Sequence, residues 1–217
     1  KWGILFARTG GEKGRNAITS FIVDVDRPGL TLNPINVIRS YSPYELTFED
    51  YEIPVENRLG EEGQGFSFAE DWLVHQRVPY SATTIGTAQA SLEIALDWVR
   101  ERETFGKKLA DHQAIQWMLA DSEVDLRAAR LLVYQAAWRA ERGEDIKLDA
   151  SVCKLFATEA ANRVVDRCVQ ILGGMGVAAE LPLERWFRET RIKRIGEGPS
   201  EIHRLVIARD LIRNGTR

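Results

Sequence analysis

The sequence predicts an α+β protein in which a partial antiparallel β domain is followed by an antiparallel four-helix bundle. Strand-like runs and turn residues dominate up to about residue 58, whereas apolar residues beyond it recur every three or four positions. The pattern changes within a glycine-rich segment, residues 59–66. We therefore expect two domains, with residues 1–60 forming the C-terminal part of a β domain and residues 61–217 forming a helical bundle.

The β region contains strand-like runs at residues 2–7, 17–23 and 44–50. Residues 8–16 have the composition of a hairpin loop, and residues 26–30 that of a turn. These strands are too few to close a sheet with both edges satisfied. We therefore expect the chain to begin inside a β domain, as a fragment or as a truncated gene product.

The helical region predicts three long helices and a shorter last one. The first carries an apolar stripe, and Pro79 should kink it or mark its start. The second should run from Asp111 to Arg142, the third from Asp149 to Leu172, and the last should start with Pro199 at its first position. The stripes are Ile85, Ala88, Leu92, Ala95 and Val99; then Ile115, Met118, Leu119, Val124, Leu131, Tyr134 and Trp138; and, in the last helix, Ile202, Leu205, Val206, Ala208 and Ile212. A short helical piece opens at residues 181–183.

Composition excludes several classes of function. Apolar residues make up 44% of the chain and the formal net charge is −3, so there is no basic field of the kind that nucleic acid selects. No run approaches the roughly 20 apolar residues that span a bilayer, and Lys1-Trp2-Gly3 does not resemble a signal peptide. We expect a cytoplasmic protein of bacterial type, or one of the mitochondrial matrix in a eukaryote.

Metal binding is not expected either. His75, His112 and His203 lie far apart, and none falls in a metal-ligand spacing. Cys153 and Cys168 are interpreted as small buried residues in a reducing compartment.

The segment around residue 197 is the most unusual in the chain. Glu197 stands between Gly196 and Gly198, and Pro199 follows. Glutamate alone would be a solvated loop residue or a charge at a helix N-terminus. The flanking glycines indicate an alternative, in which the backbone approaches a ligand closely and the carboxylate points at it.

Two further motifs lie at helix junctions. Residues 102–107 read as a charged helix end closed by glycine, but with residues 112–115 nearby they could also hold an anionic, ring-bearing cofactor. Residues 174–179 match a dinucleotide fingerprint in the wrong context, since a helix precedes them and Pro182 follows. A glycine-rich turn, or backbone N–H groups that contact a phosphate, are the remaining readings.

In this order the motifs resemble the acyl-CoA dehydrogenase family. The matching runs are residues 102–106, 112–114, 170–176 and 197–204, and residues 48–57 resemble the family's last β strand and its exit. The resemblance covers essentially the whole chain. It implies an N-terminal helical domain, a middle β domain and a C-terminal bundle, of which this sequence supplies the end of the second and the third.

The resemblance also implies an FAD cofactor bound between two subunits, and hence a homodimer or a homotetramer. The residues implied at the adenosine and phosphate end are Arg102, Thr104, Phe105 and Gln113, with His112 as a weaker candidate. Gln170, Gly173 and Gly174 would contact the pyrophosphate from the partner subunit, and Ser200 and Glu201 would lie near the adenine.

The family reaction is α,β-dehydrogenation of an acyl-CoA thioester, and the resemblance gives Glu197 the role of the base that takes the α-proton. An ungapped count places Gln76 where some members carry the base instead, and glutamine cannot serve. We expect a carboxylate buried away from cations, because such burial raises the pKa of a base. Arg77 and Gly198 are candidates for substrate contact, with a structural role as the alternative for Arg77.

Two departures from the family pattern stand beside Glu197. Gly196 replaces an aromatic residue and should widen the acyl pocket, and Pro199 replaces a threonine. An electron-transfer flavoprotein or a similar acceptor would take the electrons. An acyl-CoA oxidase on the same scaffold and a non-catalytic oligomerising helical module remain alternatives.

Overall fold

A computed structural model describes residues 1–10 and 14–216. Residues 11–13 of the predicted loop and residue 217 therefore lie outside the described residues. The chain divides into two compact units, one formed by Lys1–Val37 and Tyr41–Leu73, the other by Ile38–Ser40 and Val74–Arg217. Because one continuous helix crosses the division after Leu73, the domain boundary predicted at residue 60 stays a prediction.

The first unit contains two small antiparallel sheets. The strands are β1 (Trp2–Arg8), β2 (Ile18–Asp24), β3 (Leu30–Pro34), β4 (Tyr44–Phe48) and β5 (Arg58–Leu59). The three-stranded sheet has the order β1-β2-β5, with Trp2 opposite Asp24 and Arg8 opposite Ile18, and β3 pairs with β4 in the second sheet. A Cβ on Gly65 would lie 2.7 Å from the backbone carbon of Thr19, so glycine lets the first helix start against β2.

Within the described residues five α-helices follow, and they confirm the predicted class. They are α1 (Gly65–Glu101), α2 (Gln113–Glu141), α3 (Lys147–Leu172), α4 (Leu183–Lys193) and α5 (Ser200–Asn214). Pro79 is an interior residue of α1 and does not mark its start. Pro199 is the residue immediately before α5, so the helix begins one residue later than predicted.

The core of the second unit lies where α1, α2 and α3 meet. The predicted stripe of α1 is buried throughout, from Ile85 to Val99. Small residues let the helices approach closely, since Ala88, Ala136 and Ala157 are fully buried.

The predicted apolar faces of α2 and α5 are largely wrong for the single chain. Val124, Leu131, Tyr134 and Trp138 are between 57% and 69% exposed. The helix instead buries a different face, made of Ser122, Leu126, Ala129, Val133 and Ala136. Likewise α5 buries Ser200 and His203, while Ile202, Leu205 and Ile212 are exposed. Burial of these large side chains requires a partner surface.

The junction of α1 and α2 also differs from one of the two readings. Glycine does not close α1; the chain forms a two-stranded hairpin of β6 (Glu103–Thr104) and β7 (Lys107–Lys108). Phe105 and Gly106 occupy the two-residue turn with φ of 53° and 78°, the combination that fits the twist of a tight hairpin.

Candidate active site

The Glu197 segment lies in the turn between α4 and α5, and its backbone is left-handed. Glu197 has φ of 56° and Gly198 has φ of 98°. A non-glycine residue in this region costs of order 1–3 kcal/mol and persists only where its surroundings enforce it. Among the described residues the other non-glycine cases are Asp50 and Phe105, so two of the three are predicted site residues.

Three buried side chains enforce this backbone. Nε of Arg77 donates to the carbonyl oxygen of Glu197 at 3.2 Å. Nζ of Lys154 and Nε2 of His203 both donate to the carbonyl oxygen of Gly198, at 2.6 and 3.1 Å. Arg77 is 8% exposed, and Lys154 and His203 are fully buried. Two successive peptide groups are therefore held from α1, α3 and α5.

Burial sets the protonation of two of these donors. It lowers the pKa of Lys154 to about 8, with the nearby Arg77 charge adding to the effect. It lowers the pKa of His203 to about 4, with the charges of Arg77 and Lys154 adding to it. At neutral pH Lys154 is thus a cation and His203 is neutral. Because a carbonyl can only accept, His203 carries its proton on Nε2.

The carboxylate of Glu197 has a free, buried oxygen. Its Oε2 atom is buried and accepts no hydrogen bond from the residues that the structure describes. Unsatisfied buried polar atoms are rare and call for an explanation. A base that must meet a C–H group needs such an oxygen, because an intramolecular donor would compete for it.

The surroundings of this carboxylate correct one expectation. Lys154 is close enough to Glu197 for the glutamate charge to offset part of the lowering of the lysine pKa. Arg77 donates a hydrogen bond to the backbone carbonyl of Glu197. The Glu197 carboxylate is therefore not buried away from cations.

Gly196 does not leave the space that we expected on its side of the site. A Cβ at this position would lie 2.5 Å from the hydroxyl oxygen of Tyr80, a residue of α1. The ring of Tyr80 is in turn covered by Nζ of Lys193, 4.0 Å from the ring centroid. The expectation of a wider pocket is wrong at this point, because tyrosine takes the room that glycine vacates.

Ser200 and Glu201 behave differently from each other. The buried Ser200 hydroxyl donates to Oε1 of Glu159 at 2.7 Å, and Nε of Arg194 lies 2.9 Å from the other Glu159 oxygen. These contacts fix the start of α5. Glu201 is exposed in the first turn of that helix.

The hairpin brings the first group of predicted cofactor residues together. Nε2 of His112 lies 3.3 Å from both Oγ1 and the carbonyl oxygen of Thr104. Arg102 and Gln113 are exposed on either side, and Phe105 is 98% exposed at the tip. An aromatic ring held this far out contributes nothing to the core of its own chain.

The second predicted group lies at the C-terminal end of α3. Gln170 is exposed in the last turn of α3. Gly173 has φ of 60°, and this left-handed backbone is sufficient reason for glycine at that position. Gly176 is required because a Cβ there would clash with the carbonyl of Val169. Gly174 differs from both, since its φ is ordinary and a Cβ would meet open space.

The groups occupy different parts of the bundle. Because α2 and α3 run antiparallel, the start of α2 and the end of α3 lie at the same end. Lys154 precedes Gln170 by sixteen residues, or about 24 Å along α3. The hairpin and the glycines therefore share one end of the α2–α3 pair. Lys154 and the Glu197–Gly198 backbone that it holds lie towards the other end.

The described part of the chain holds neither a candidate metal site nor a candidate membrane span. Residues 1–10 and 14–216 contain no group of His, Cys, Asp and Glu that could hold a metal ion. Within the same ranges no helix has the length and apolarity to cross a bilayer.

Comparison with known proteins identifies the class. The family model "Acyl-CoA dehydrogenase, C-terminal domain" matches residues 63–212. The chain is 41% identical over 214 residues to the mitochondrial short-chain specific acyl-CoA dehydrogenase of Rattus norvegicus, which covers 97% of the chain and 52% of that protein. The chain therefore belongs to the acyl-CoA dehydrogenase family.

Solved structures agree. Butyryl-CoA dehydrogenase from Megasphaera elsdenii matches with a TM-score of 0.91 and 37% identity, over 97% of this chain and 56% of that one. A chain from a structure of the electron transferring flavoprotein of Acidaminococcus fermentans matches with a TM-score of 0.93 and 36% identity, over 98% and 57%. The chain spans about half the length of the curated relatives it matches.

Sequence reasoning missed Lys154, His203 as a donor, and Tyr80. Lys154 lies on the same face of α3 as the buried Ala150, Ala157 and Ala161. A lysine on an otherwise apolar helix face was the sequence feature that could have predicted its role. Tyr80 gave no signal, because its proximity to Gly196 depends on the packing of α1 against the α4–α5 turn.

Proposed function

We propose that the protein catalyses α,β-dehydrogenation of an acyl-CoA thioester, with Glu197 as the base that takes the α-proton. The observation that carries this proposal is the buried, unbonded Oε2 atom of Glu197 on a left-handed backbone. Membership of the acyl-CoA dehydrogenase family supports the substrate class. Positioned general-base help contributes roughly 10²–10⁴ in rate.

The backbone at Glu197 has a second role in this proposal. Its N–H would donate to the thioester oxygen, on which negative charge grows as the α-proton leaves. Loss of one such donor typically costs roughly 10²–10³ in rate. Nε of Arg77 donates to the carbonyl oxygen of the same residue, which supports the structural alternative for this arginine.

The residues present fit an FAD cofactor. Arg102, Thr104, Phe105, His112 and Gln113 would hold its adenosine and phosphate end, and Ser200 and Glu201 would lie near the adenine. Gln170 and the backbone of Gly173 and Gly174 would contact the pyrophosphate from a second copy of the chain. When bound, FAD would supply the acceptor for the β-hydrogen. Gly174 supports the fit, because nothing within the described chain requires glycine there and close approach of a ligand would.

Substitution of Gly174 tests the cofactor site. Gly174→Ala should weaken FAD binding at least tenfold while the melting temperature of the apoprotein is unchanged. Gly86→Ala is the matched control, because Gly86 also has open space at its Cβ, on the exposed face of α1. Equal FAD affinity in the two variants would remove Gly174 from the site.

The exposed stripe of α2 supports an oligomer. Trp117, Val124, Leu131 and Trp138 recur every seven residues and are each more than half exposed. A regular apolar stripe of this kind buries itself against another helix, and we propose that a second copy of the chain covers it. The hairpin and the glycines lie at the end of the α2–α3 pair that is about 24 Å along α3 from Lys154. They would then serve a site that two copies share.

Chromatography with light scattering tests the oligomer. Leu131→Glu should lower the molar mass by at least half. Val55→Glu is the control, since Val55 is 81% exposed but stands outside the stripe. If Leu131→Glu leaves the mass unchanged, the stripe does not hold the oligomer.

Turnover assays test the reaction itself. The complete protein should be yellow and should reduce an artificial electron acceptor, without oxygen, when given acyl-CoA thioesters. The likeness to the Acidaminococcus chain supports an electron-transfer flavoprotein as the natural acceptor. Peroxide release in air at a matching rate would instead identify an oxidase, and a colourless protein that FAD does not stabilise would contradict the proposed function.

A further inference from the structure

The carbonyl oxygen of Gly198 accepts two hydrogen bonds from fully buried donors. Lys154 reaches it from α3 at 2.6 Å and His203 from α5 at 3.1 Å. One donor is enough to avoid the cost of an unpaired buried acceptor. The second donor therefore requires another explanation.

The identity of that second donor makes the question sharper. A buried lysine is unfavourable where a neutral donor already serves, and burial lowers the pKa of Lys154 to about 8. Arg77 on α1 repels its charge, whereas Glu159 on α3, Glu197 in the turn and Glu201 on α5 attract it. Stability alone would favour an apolar side chain of similar size at position 154.

Geometry supplies the explanation. Gly198 has no side chain to restrict its backbone, and its φ of 98° is one that glycine alone adopts readily. With Arg77 on the preceding carbonyl, the Lys154 and His203 bonds fix both peptide groups that follow the Cα of Glu197. Two donors from different helices fix the Gly198 carbonyl in two directions.

We propose that Lys154 and His203 are positioning residues for Glu197, which hold the Glu197–Gly198 backbone so that the carboxylate and the N–H of Glu197 meet the substrate together. The proposal rests on the proposed role of Glu197 as the base. A misplacement of about 1 Å can cost on the order of 10²-fold in rate, so the donors act on turnover more than on binding.

Three variants of the complete protein test this proposal beside Glu197→Gln. Lys154→Met and His203→Leu each remove one donor and leave the other on the Gly198 oxygen. We expect kcat to fall roughly 10- to 100-fold with KM for acyl-CoA within about threefold. His203→Gln keeps an N–H donor of similar reach and should restore kcat to within about threefold of the wild-type protein. Lys154→Met should melt no lower than the wild-type protein, which a merely structural lysine would not allow.

The outcomes separate the two proposals. If Glu197→Gln abolishes turnover but Lys154→Met and His203→Leu keep it, the base stands and the positioning role is wrong. The positioning role is also wrong if His203→Gln and His203→Leu lose turnover equally, together with several degrees of melting temperature. Full turnover in Glu197→Gln would overturn the base and the positioning role with it.

Discussion

Lys154→Met provides a quantitative test of the buried cation beside Glu197. Burial lowers the pKa of Lys154 from 10.5 to about 8 in the folded protein. Between pH 8 and 10.5 the unfolded chain therefore binds more protons at this residue than the folded chain, so the free energy of unfolding rises with pH. The pKa difference corresponds to about 3 kcal/mol. Below pH 8 the fold carries this cost in full.

Methionine has a similar shape and no proton to lose. Chemical unfolding of both proteins at pH 7.5, 9 and 10.5 should show the wild-type protein gaining about 3 kcal/mol relative to Lys154→Met across this range. Tyrosines and the other lysines titrate in both proteins, so their contributions cancel in the difference. A difference that stays constant within about 0.5 kcal/mol would show that Lys154 titrates as an exposed lysine does, and would refute the reasoning.

Three other predictions follow from buried groups near the site and in the core. The pKa of His203 is lowered to about 4, so acidification from pH 6.5 to 4 should cost the wild-type protein about 3 kcal/mol more than His203→Gln, measured by urea unfolding. Gly196→Ala should cost roughly 1–3 kcal/mol in unfolding free energy, and adding Tyr80→Phe should recover most of it; a purely additive double mutant would contradict the contact. Burial raises the pKa of Cys153 to about 11 and of Cys168 to about 12, so neither thiol should react with Ellman's reagent at pH 8 until the protein is unfolded.

The spacing of apolar residues predicted correctly which face of a helix is buried where that face packs within the same chain. The stripe of α1, from Ile85 to Val99, is buried in full because it belongs to the core that α1 forms with α2 and α3 of the same chain. The same reasoning misassigned Leu131 and Trp138, since an apolar stripe on an exposed helix face has the same period as one that faces the core. Composition alone does not distinguish the two surfaces.

The Glu197 segment could be singled out from the sequence, but the side chains that hold its backbone could not. Glu197 stood out through its glycine neighbours, and its left-handed backbone agrees with that signal. The convergence of Arg77, Lys154 and His203 was not predictable, because they come from three helices and meet only after the bundle packs. The Tyr80 hydroxyl at Gly196 is a packing result of the same kind.

The most direct measurement of the central claim is solvent-deuterium incorporation at the α-carbon of a saturated acyl-CoA, with wild-type protein, Glu197→Gln and Glu141→Gln. Glu141 is an exposed glutamate at the end of α2 and serves as the control. If Glu197 removes the α-proton, exchange should fall by roughly 10²–10⁴ in Glu197→Gln and remain at the wild-type rate in Glu141→Gln. Exchange within about threefold of wild type in Glu197→Gln would show that another group takes the proton.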